Sequence, residues 1–379
     1  MNLRRVLILA DESADWIVAG LQQLERLALS IDEFAVENKE TGPVLVCVLW
    51  RPDLDQISRW IPKNEQLARI ALTSRPDGLP YDLVLSTRLF LYRKTMPQLI
   101  EASVSIPKMI SGEGEKDWAN LFRQIETSLL SRGAAWEYLT DGSQIDEIET
   151  RFLRRSGKSQ DGYVSRYLNR PISRGVTRLL LRFPTTPNGW TYLIFSIPIV
   201  ATLVLLEGSY WSFFWGLVLF QLFSVLDGCD GEIARAKFME SEHGRELDDL
   251  FDVLSNVLLA VGLGGGLSRA HPRFSWLFLG EGISTATLIL LNEWFLARAP
   301  AAESSSLGET LYPRHRALVE RSGLLVFGKK FASLVIQLTK RDFAVLLFLS
   351  LAVVGLPAAI LHLLFVVTAV TLGLALKSR

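Results

Sequence analysis

The distribution of apolar residues divides the chain into two unlike parts. Up to about Phe183 apolar and charged residues are mixed, whereas long uncharged runs dominate from Thr186 onward. Three apolar runs in the first part have the length of a strand, at residues 5–10, 44–49 and 82–86. Two further segments have apolar residues at helical spacing, at residues 15–35 and 120–130. This alternation predicts a soluble α/β domain with a mainly parallel sheet over residues 1–150.

The uncharged runs of the second part have the length of membrane-spanning helices, since about 20 apolar residues cross the hydrocarbon core. Six spans are expected, at residues 188–206, 209–227, 249–267, 276–296, 343–356 and 357–376. The last two form a hairpin that turns at residues 355–357, because a single helix of their combined length would overshoot a bilayer. The pattern predicts an α-helical integral membrane domain of six transmembrane helices over residues 184–379.

Residues 151–183 join the two parts, and an arginine stands at every fourth position from Arg166 to Arg182. A helix gathers these arginines on one stripe beside apolar residues. This is typical of an amphipathic juxtamembrane helix whose arginines meet lipid phosphates. The alternative is a solvated basic helix that only links the two domains.

Charge and cysteine content argue against several classes of function. The 40 basic and 40 acidic residues balance, so the net charge implies no nucleic-acid partner. Cys47 and Cys229 fall one in each part and suggest neither a disulfide framework nor a zinc site. Lysines and arginines are dense in residues 151–182 and 298–341. With an even number of spans, the positive-inside rule then places both termini on the cytoplasmic side of the cell membrane.

Four aspartates lie where apolar runs give way to polar residues, namely Asp227, Asp230, Asp248 and Asp252. On helices, the first two are three residues apart and the last two four apart, so each pair projects from one face. Two such faces brought together form a cluster that stays ionised only if cations bind among the carboxylates. The spacing predicts a divalent metal site on the cytoplasmic side. The alternative for any single aspartate is a solvated helix cap.

Two glycines and an arginine accompany the aspartates. Gly231 and Gly244 lack a side chain, so backbone or ligand can approach the carboxylates closely. Arg235 offers a planar donor fork to a phosphate. The string D-x2-D-G-x2-A-R-x8-G-x3-D-x3-D over residues 227–252 resembles, at every fixed position, the signature of the CDP-alcohol phosphotransferase family of integral membrane enzymes.

The resemblance implies metal-dependent transfer of a substituted phosphate, either a phosphatidyl or a phosphoalcohol group. The donor is a CDP-alcohol, the acceptor is an alcohol that can itself be a lipid, and CMP is released. Such a reaction belongs to phospholipid or polar phosphodiester biosynthesis. The resemblance also implies a site for two Mg²⁺ or Mn²⁺ ions, contact with membrane lipids and a homodimer.

Roles for individual residues follow from the same resemblance. Asp227, Asp230 and Asp248 hold the metals, and Asp252 contributes to the second metal and takes the acceptor's hydroxyl proton. The family's nucleotide contacts fall on Asn188, Gly189, Trp190, Thr191, Gly231, Ala234, Arg235, Ser241 and Gly244. An alternative for Asn188, which follows Pro187, is a helix cap.

One departure from the family pattern bears on the acceptor. Relatives that use a phosphorylated acceptor usually place an arginine directly after the last aspartate, where this chain has Val253, and Asn256 stands three residues further on in place of another acid. Loss of a buried cation removes the strongest partner for an acceptor phosphate. The acceptor is then neutral at that site, or its phosphate is bound by other cations, for which the candidates are Lys329, Lys330, Lys340 and Arg341.

Three further short segments resemble the sequences of the inositol-phosphate branch of the family, the di-myo-inositol phosphate phosphate synthases. They are Asp161 to Arg166, Asn169-Arg170 and Arg341-Asp342. Enzymes of that branch have a cytidylyltransferase-like domain at the N-terminus, and residues 19–27 resemble the early part of such a domain. The loop after the first strand, residues 11–15, has three acids and no glycine, so it repels a triphosphate. The domain is expected to be a degenerate, inactive nucleotidyltransferase.

Two alternatives to the general transferase remain open at this point. One is a synthase of the di-myo-inositol phosphate phosphate type. The other is a membrane protein or transporter that binds cations without chemistry, but a simple cation site needs only the carboxylates. The accompanying Gly231, Ala234, Arg235 and Gly244 favour an enzyme.

Overall fold

The computed structural model describes residues 3–38, 42–54, 67–103, 115–129, 135–155, 162–298 and 340–377. The chain divides into two compact units. The first comprises Met1–Arg155 with Arg235–Phe238, and the second comprises Ser156–Ala234 with Met239–Arg379.

The first unit is built on a four-stranded parallel sheet, which confirms the prediction of an α/β domain with a mainly parallel sheet. The strands are β1 (Arg5–Ala10), β4 (Val44–Trp50), β5 (Ile70–Thr73) and β6 (Leu83–Ser86), in the order β5-β4-β1-β6. Val6 in β1 lies opposite Val46 on one side and Leu83 on the other. Residues 6–10 of the central strand are buried, as expected for a strand covered on both faces.

Two antiparallel strand pairs and four α-helices also lie among the described residues of this unit. A hairpin pairs β2 (Ile17–Val18) with β3 (Leu21–Gln22), and a second antiparallel pair joins β7 (Leu89–Leu91) to β8 (Trp136–Tyr138), which follows α2 and α3 in the chain. The helices are α1 (Gln23–Glu37), α2 (Met96–Ala102), α3 (Glu115–Leu129) and α4 (Ile145–Arg155).

Helix α1 begins later than the apolar spacing predicts. Residues 15–22 form the end of a short 3₁₀ turn and the β2–β3 hairpin instead. Ala19 and Gly20 turn the hairpin with φ of 49° and 81°, which is the left-handed backbone of a two-residue hairpin turn. The prediction of a helix from residue 15 was wrong, because apolar residues of a short hairpin mimic helical spacing.

Acidic and basic side chains fill the edge of the sheet at the carboxyl ends of its strands. Asp11 follows β1, Arg51 follows β4 and Arg88 follows β6. Arg88 Nε donates to buried Asp11 Oδ2 at 2.6 Å, Arg88 Nη2 donates to Glu12 Oε1 at 2.7 Å, and Arg51 Nη1 donates to Glu12 Oε2 at 2.8 Å. Open α/β sheets bind ligands at this edge, so the network occupies the usual ligand position.

The described residues of the second unit are mainly helical. They form the helices α5 (Arg170–Leu180), α6 (Pro187–Leu205), α7 (Tyr210–Leu226), α8 (Gly228–Lys237, which ends in the first unit), α9 (Glu242–Ala270), α10 (Ser275–Leu296), α11 (Arg341–Val353) and α12 (Pro357–Lys377). A π-helical turn over Ser165–Asn169 precedes α5.

Four stretches are long and apolar enough to cross a membrane, namely Pro187–Leu205, Tyr210–Lys237, Glu242–Ala270 and Pro272–Phe295. They cover the first four predicted spans. Helices also lie at the two remaining predicted spans, where α11 has 13 residues and the apolar stretch Pro357–Gly373 of α12 is shorter than a full span. The chain is therefore a membrane protein with four candidate spans among its described residues.

Glycines bring the backbones of three helices into contact. A Cβ on Gly264 of α9 would lie 2.8 Å from the Cα of Gly282 in α10. A Cβ on Gly266 would overlap the carbonyl oxygen of Leu205 in α6. Helix α9 therefore packs directly against both α6 and α10 at its end farther from Asp248 and Asp252.

Candidate active site

Three of the four predicted aspartates converge. Asp227 caps the C-terminus of α7, whereas Asp248 and Asp252 lie one turn apart on α9 and so on one face of that helix. Ligand oxygens of these three half-buried carboxylates all lie within 4.8 Å of one another. Three carboxylates at this separation repel each other strongly unless positive charge is nearby. We call Asp227, Asp248 and Asp252 the carboxylate cluster.

Arg341, at the start of α11, extends into the carboxylate cluster. Its Nη1 forms a close ion pair with Asp252 and lies 3.6 Å from Asp227 Oδ2. Its Nη2 donates to Ser255 Oγ at 3.4 Å, and its guanidinium carbon lies 5.0 Å from the centre of the Phe223 ring. Arg341 thus brings a positive charge to the side of the cluster formed by Asp252 and Asp227.

Asp342 ties the position of Arg341 to the turn before α5. Its Oδ2 accepts a hydrogen bond from the backbone N–H of Ser165 at 2.6 Å. A Cβ on Gly162 would lie 2.6 Å from the same oxygen, so only glycine fits there without a shift. The fold thus brings the sequence segments around Gly162 and at Arg341-Asp342 into contact.

Asp230 is not one of the three aspartates that form the carboxylate cluster. It is buried on α8, where its Oδ2 accepts a hydrogen bond from Thr191 Oγ1 at 2.8 Å and its Oδ1 accepts one from the Gly231 backbone. Thr191 belongs to the first turns of α6. The structure thus pairs a predicted metal ligand with a predicted nucleotide contact, and it groups three aspartates where the sequence suggested four.

The other predicted nucleotide contacts lie at helix ends. Thr186, and not Asn188, is the N-cap of α6, since its side chain accepts from the Gly189 N–H. Ser241 caps α9 by accepting from the Gly244 N–H at 3.0 Å. A Cβ on Gly244 would lie 3.0 Å from Asn188 Oδ1. The beginnings of α6 and α9 therefore lie side by side, and the cap predicted for Asn188 as an alternative is wrong.

The remaining predicted residues have varied surroundings. Trp190 Nε1 donates to the carbonyl oxygen of Leu226 at 3.0 Å, which anchors α6 to the end of α7. Ala234 and half-buried Arg235 follow Gly231 on α8. Lys340 directly precedes α11, and Lys329 and Lys330 lie outside the described residues.

The donor atoms of the carboxylate cluster fit a hard divalent cation. All three groups offer carboxylate oxygens, which Mg²⁺ and Mn²⁺ prefer, and none offers the sulfur or imidazole ligands typical of zinc. The cluster is thus consistent with a metal site.

Comparison with known proteins agrees with this chemistry. Residues 184–375 match the family CDP-alcohol phosphatidyltransferase. A protein of Thermococcus kodakarensis named "Bifunctional IPC transferase and DIPP synthase" is 36% identical over 121 residues, which are 32% of this chain and 27% of that protein. A protein of the same name from Rubrobacter xylanophilus is 35% identical over 192 residues, which are 51% of this chain and 42% of that protein.

The chain thus spans less than half the length of these curated relatives. The family match, in contrast, covers half of the chain and includes all four aspartates, the residues of the predicted nucleotide contacts and Arg341. The chain therefore belongs to the CDP-alcohol phosphatidyltransferase family of enzymes.

Proposed function

We propose that the chain transfers a phosphatidyl or phosphoalcohol group from a CDP-alcohol to an acceptor alcohol and releases CMP. The observation that carries the proposal is the convergence of Asp227, Asp248 and Asp252 within 4.8 Å at the ends of two candidate membrane helices. When bound there, two Mg²⁺ or Mn²⁺ ions supply charge neutralisation at the diphosphate and at the leaving oxygen.

The three clustered aspartates would hold these ions, and Asp230 is the fourth proposed ligand. Asp230 would bind the metal while its Oδ2 keeps the hydrogen bond from Thr191. This hydrogen bond also supports a role for α6 in the site, because it joins the segment at residues 188–191 to the aspartate motif. We assign the nucleotide to Asn188, Gly189, Trp190, Thr191, Gly231, Ala234, Arg235, Ser241 and Gly244.

We propose Asp252 as the base. The acceptor hydroxyl oxygen bonds to the phosphorus that carries the donor's alcohol, and its proton moves to Asp252. The bond from that phosphorus to the oxygen bridging to CMP breaks, and CMP leaves with its electron pair. The guanidinium of Arg341 against Asp252 supports a position for the acceptor beside α11.

A phosphorylated acceptor of inositol phosphate type is the second candidate within the same chemistry. Two observations favour it: the names of the relatives, and the location of Arg341, which supplies a cation at the cluster although Val253 replaces the usual arginine. We assign the acceptor phosphate to Arg341 and Lys340, with Lys329 and Lys330 as further candidates.

The proposal includes the arrangement in the membrane. The domains are 1–150 for the α/β domain, 151–183 for the linker with its amphipathic helix, and 184–379 for six membrane helices. Both termini and the active site face the cytoplasm of a multi-pass cell-membrane protein, which acts as a homodimer in contact with lipids. The α/β domain transfers no nucleotidyl group, because ion pairs fill its ligand edge; pyrophosphate release from CTP by the full chain would contradict this.

The test is CMP release by the purified full-length protein with Mg²⁺ and a panel of CDP-alcohols and acceptors. The panel includes neutral alcohols, inositol phosphate and glycerol phosphate. We expect CMP release with at least one pair and none in EDTA. If metal binds and no pair releases CMP, the protein is a cation-binding membrane protein or transporter and the proposal is wrong.

A further inference from the structure

Helix α5 turns a polar face towards the protein. Arg170, Ser173 and Thr177, which share one side of the helix, are buried, whereas Ile172 and Leu179 are about half exposed. This reverses the usual order of an amphipathic helix in a soluble protein, where the apolar side is buried. The buried polar side chains of α5 must therefore find polar partners in the protein.

That partner is Glu232, which lies on α8 between the motif residues Asp230 and Arg235. Glu232 is 1% exposed. Its Oε1 accepts from Arg170 Nη1 at 3.1 Å and from Ser173 Oγ at 3.0 Å, and its Oε2 accepts from Thr177 Oγ1 at 2.7 Å. A buried carboxylate with a guanidinium and two hydroxyl donors is well satisfied, and its geometry is strongly defined.

The same arginine also binds the first turn of α8. Arg170 Nη1 donates to the carbonyl oxygen of Gly228 at 3.2 Å. A Cβ on Gly228 would lie 2.8 Å from that nitrogen, so the glycine admits the guanidinium. Because Gly228 directly follows Asp227, Arg170 holds the backbone next to a member of the carboxylate cluster.

The residue before Arg170 binds the other helix that meets at Asp227. Asn169 Oδ1 accepts from Gln221 Nε2 at 3.1 Å, and Asn169 Nδ2 donates to Ser224 Oγ at 3.4 Å. Gln221 and Ser224 belong to the end of α7. Two adjacent residues therefore hold the last turns of α7 and the first turn of α8, and Asp227 lies at the junction.

The rotation of α8 about its axis is constrained from two sides. Residues two apart on a helix differ by about 200°, so Asp230 and Glu232 lie on nearly opposite sides. Asp230 is bonded to Thr191 of α6, and Glu232 is bonded to α5. Rotation of α8 in either direction therefore breaks a buried hydrogen bond to a carboxylate.

We propose that Glu232 and Arg170 are positioning residues that hold the α7–α8 junction, and with it Asp227 and Asp230, in the geometry that binds the divalent cation. The expected effect on catalysis rests on the proposed function, whereas the expected effect on metal binding rests on the carboxylate cluster. Neither residue contacts substrate in this proposal. Supporting groups around a metal site typically contribute about tenfold or more to metal affinity or activity.

The experiment measures Mn²⁺ binding to the full-length protein from the loss of the free Mn²⁺ spin-resonance signal, beside kcat and KM for CMP release. Glu232→Gln keeps the shape but removes the charge opposite Arg170. We expect the Kd for Mn²⁺ to rise about tenfold or more and kcat to fall, with KM for the CDP-alcohol little changed. Glu207→Gln, at an exposed acid between α6 and α7, is the matched control and should leave both quantities unchanged.

Two milder variants keep the test decisive if Glu232→Gln does not fold. Thr177→Val and Ser173→Ala each remove one hydroxyl donor to Glu232 and should weaken Mn²⁺ binding to a smaller extent. Folded variants that bind Mn²⁺ as tightly as wild type would show that the contacts are only structural and would overturn the inference. A wild type that binds Mn²⁺ but releases no CMP would refute the proposed function, while the Mn²⁺ titrations still decide the positioning role.

Discussion

Each unit contains acidic side chains beside an arginine, and the arrangements of the two groups differ. At the sheet edge of the first unit, Asp11 and Glu12 form ion pairs with two arginines, and the Ser13 backbone N–H also donates to Asp11 at 2.9 Å. In the second unit three carboxylates converge within 4.8 Å, and Arg341 lies against Asp252. Ion pairs within the protein occupy the ligand edge of the sheet, whereas three converging carboxylates offer the oxygen ligands that a divalent cation prefers.

The largest effect is expected where one of the three converging carboxylates is neutralised. Asp248→Asn removes one charged metal ligand, and we expect CMP release to fall about a thousandfold, since metal stabilisation of the transition state is worth several kcal/mol. Asp249→Asn, at the exposed acid next along α9, is the control and should keep wild-type activity. CMP release that persists in Asp248→Asn would contradict the metal site.

Asp252→Asn sharpens the comparison by separating proton transfer from metal binding. Loss of a general base typically lowers turnover about a hundredfold or more. We expect that decrease while affinity for the CDP-alcohol stays within about tenfold, because three other aspartates remain. Isothermal titration of the donor with Mg²⁺ present, beside single-turnover rates, measures both quantities. A parallel loss of binding and rate would show that Asp252 acts chiefly as a ligand.

Arg88→Met tests the ion pairs at the sheet edge of the first unit. It leaves the buried carboxylate of Asp11 without its guanidinium partner, and removal of one member of a buried ion pair typically costs about 3 kcal/mol. We expect a lower unfolding temperature for the first unit in calorimetry of the full chain, with unchanged kcat in the folded protein. Exposed Arg75→Met serves as the control. A large loss of CMP release without loss of stability would give the sheet edge a catalytic role.

The smallest effect is expected at Gly162. A Cβ there would lie 2.6 Å from Asp342 Oδ2, so Gly162→Ala shifts Asp342 and with it the adjacent Arg341. We expect activity to fall about three- to tenfold, mainly through a higher KM for the acceptor, because small displacements of positioning groups are costly. Gly280→Ala, where a Cβ meets open space, should have no such effect. Equal activity of the two variants would indicate that Arg341 does not bind the acceptor.

The sequence predicted those features that depend on spacing along one helix. Asp248 and Asp252 share a face of α9, and the motif placed Asp227 near them. Glu232 was missed because it matches no fixed motif position, and its donor Thr177 lies 55 residues earlier in the chain. The hydrogen bond between Thr191 and Asp230 was missed although both residues were predicted site residues, because they are 39 positions apart in the chain. A one-dimensional pattern records neither the crossing of two helices nor the side chains that meet there.

The strands of the sheet were predictable because buried parallel strands form short, continuous apolar runs. The start of α1 was not, since the turn at Ala19 and Gly20 depends on backbone angles that apolar spacing does not encode. The ion pairs of Asp11 and Glu12 with Arg88 were also not predictable, although the acidic loop itself was recognised. The sequence shows the acidic residues themselves, but Arg88 lies 77 residues after Asp11, and the sequence does not reveal that the two side chains meet.

The glycine contacts of α9 have a mechanical consequence. A contact between two backbones has no side-chain torsion that can rotate to relieve a load, so this end of α9 is a stiff support. Asp248 lies about 24 Å along the axis from Gly264, and a tilt of only about 2° at Gly264 displaces the carboxylate by about 1 Å. Lipids of different thickness tilt membrane helices by more than this. The turnover of the wild type should therefore vary less between thin and thick nanodiscs than the turnover of Gly264→Ala. Equal variation of the two proteins would show that the glycine contacts do not hold α9 against tilting.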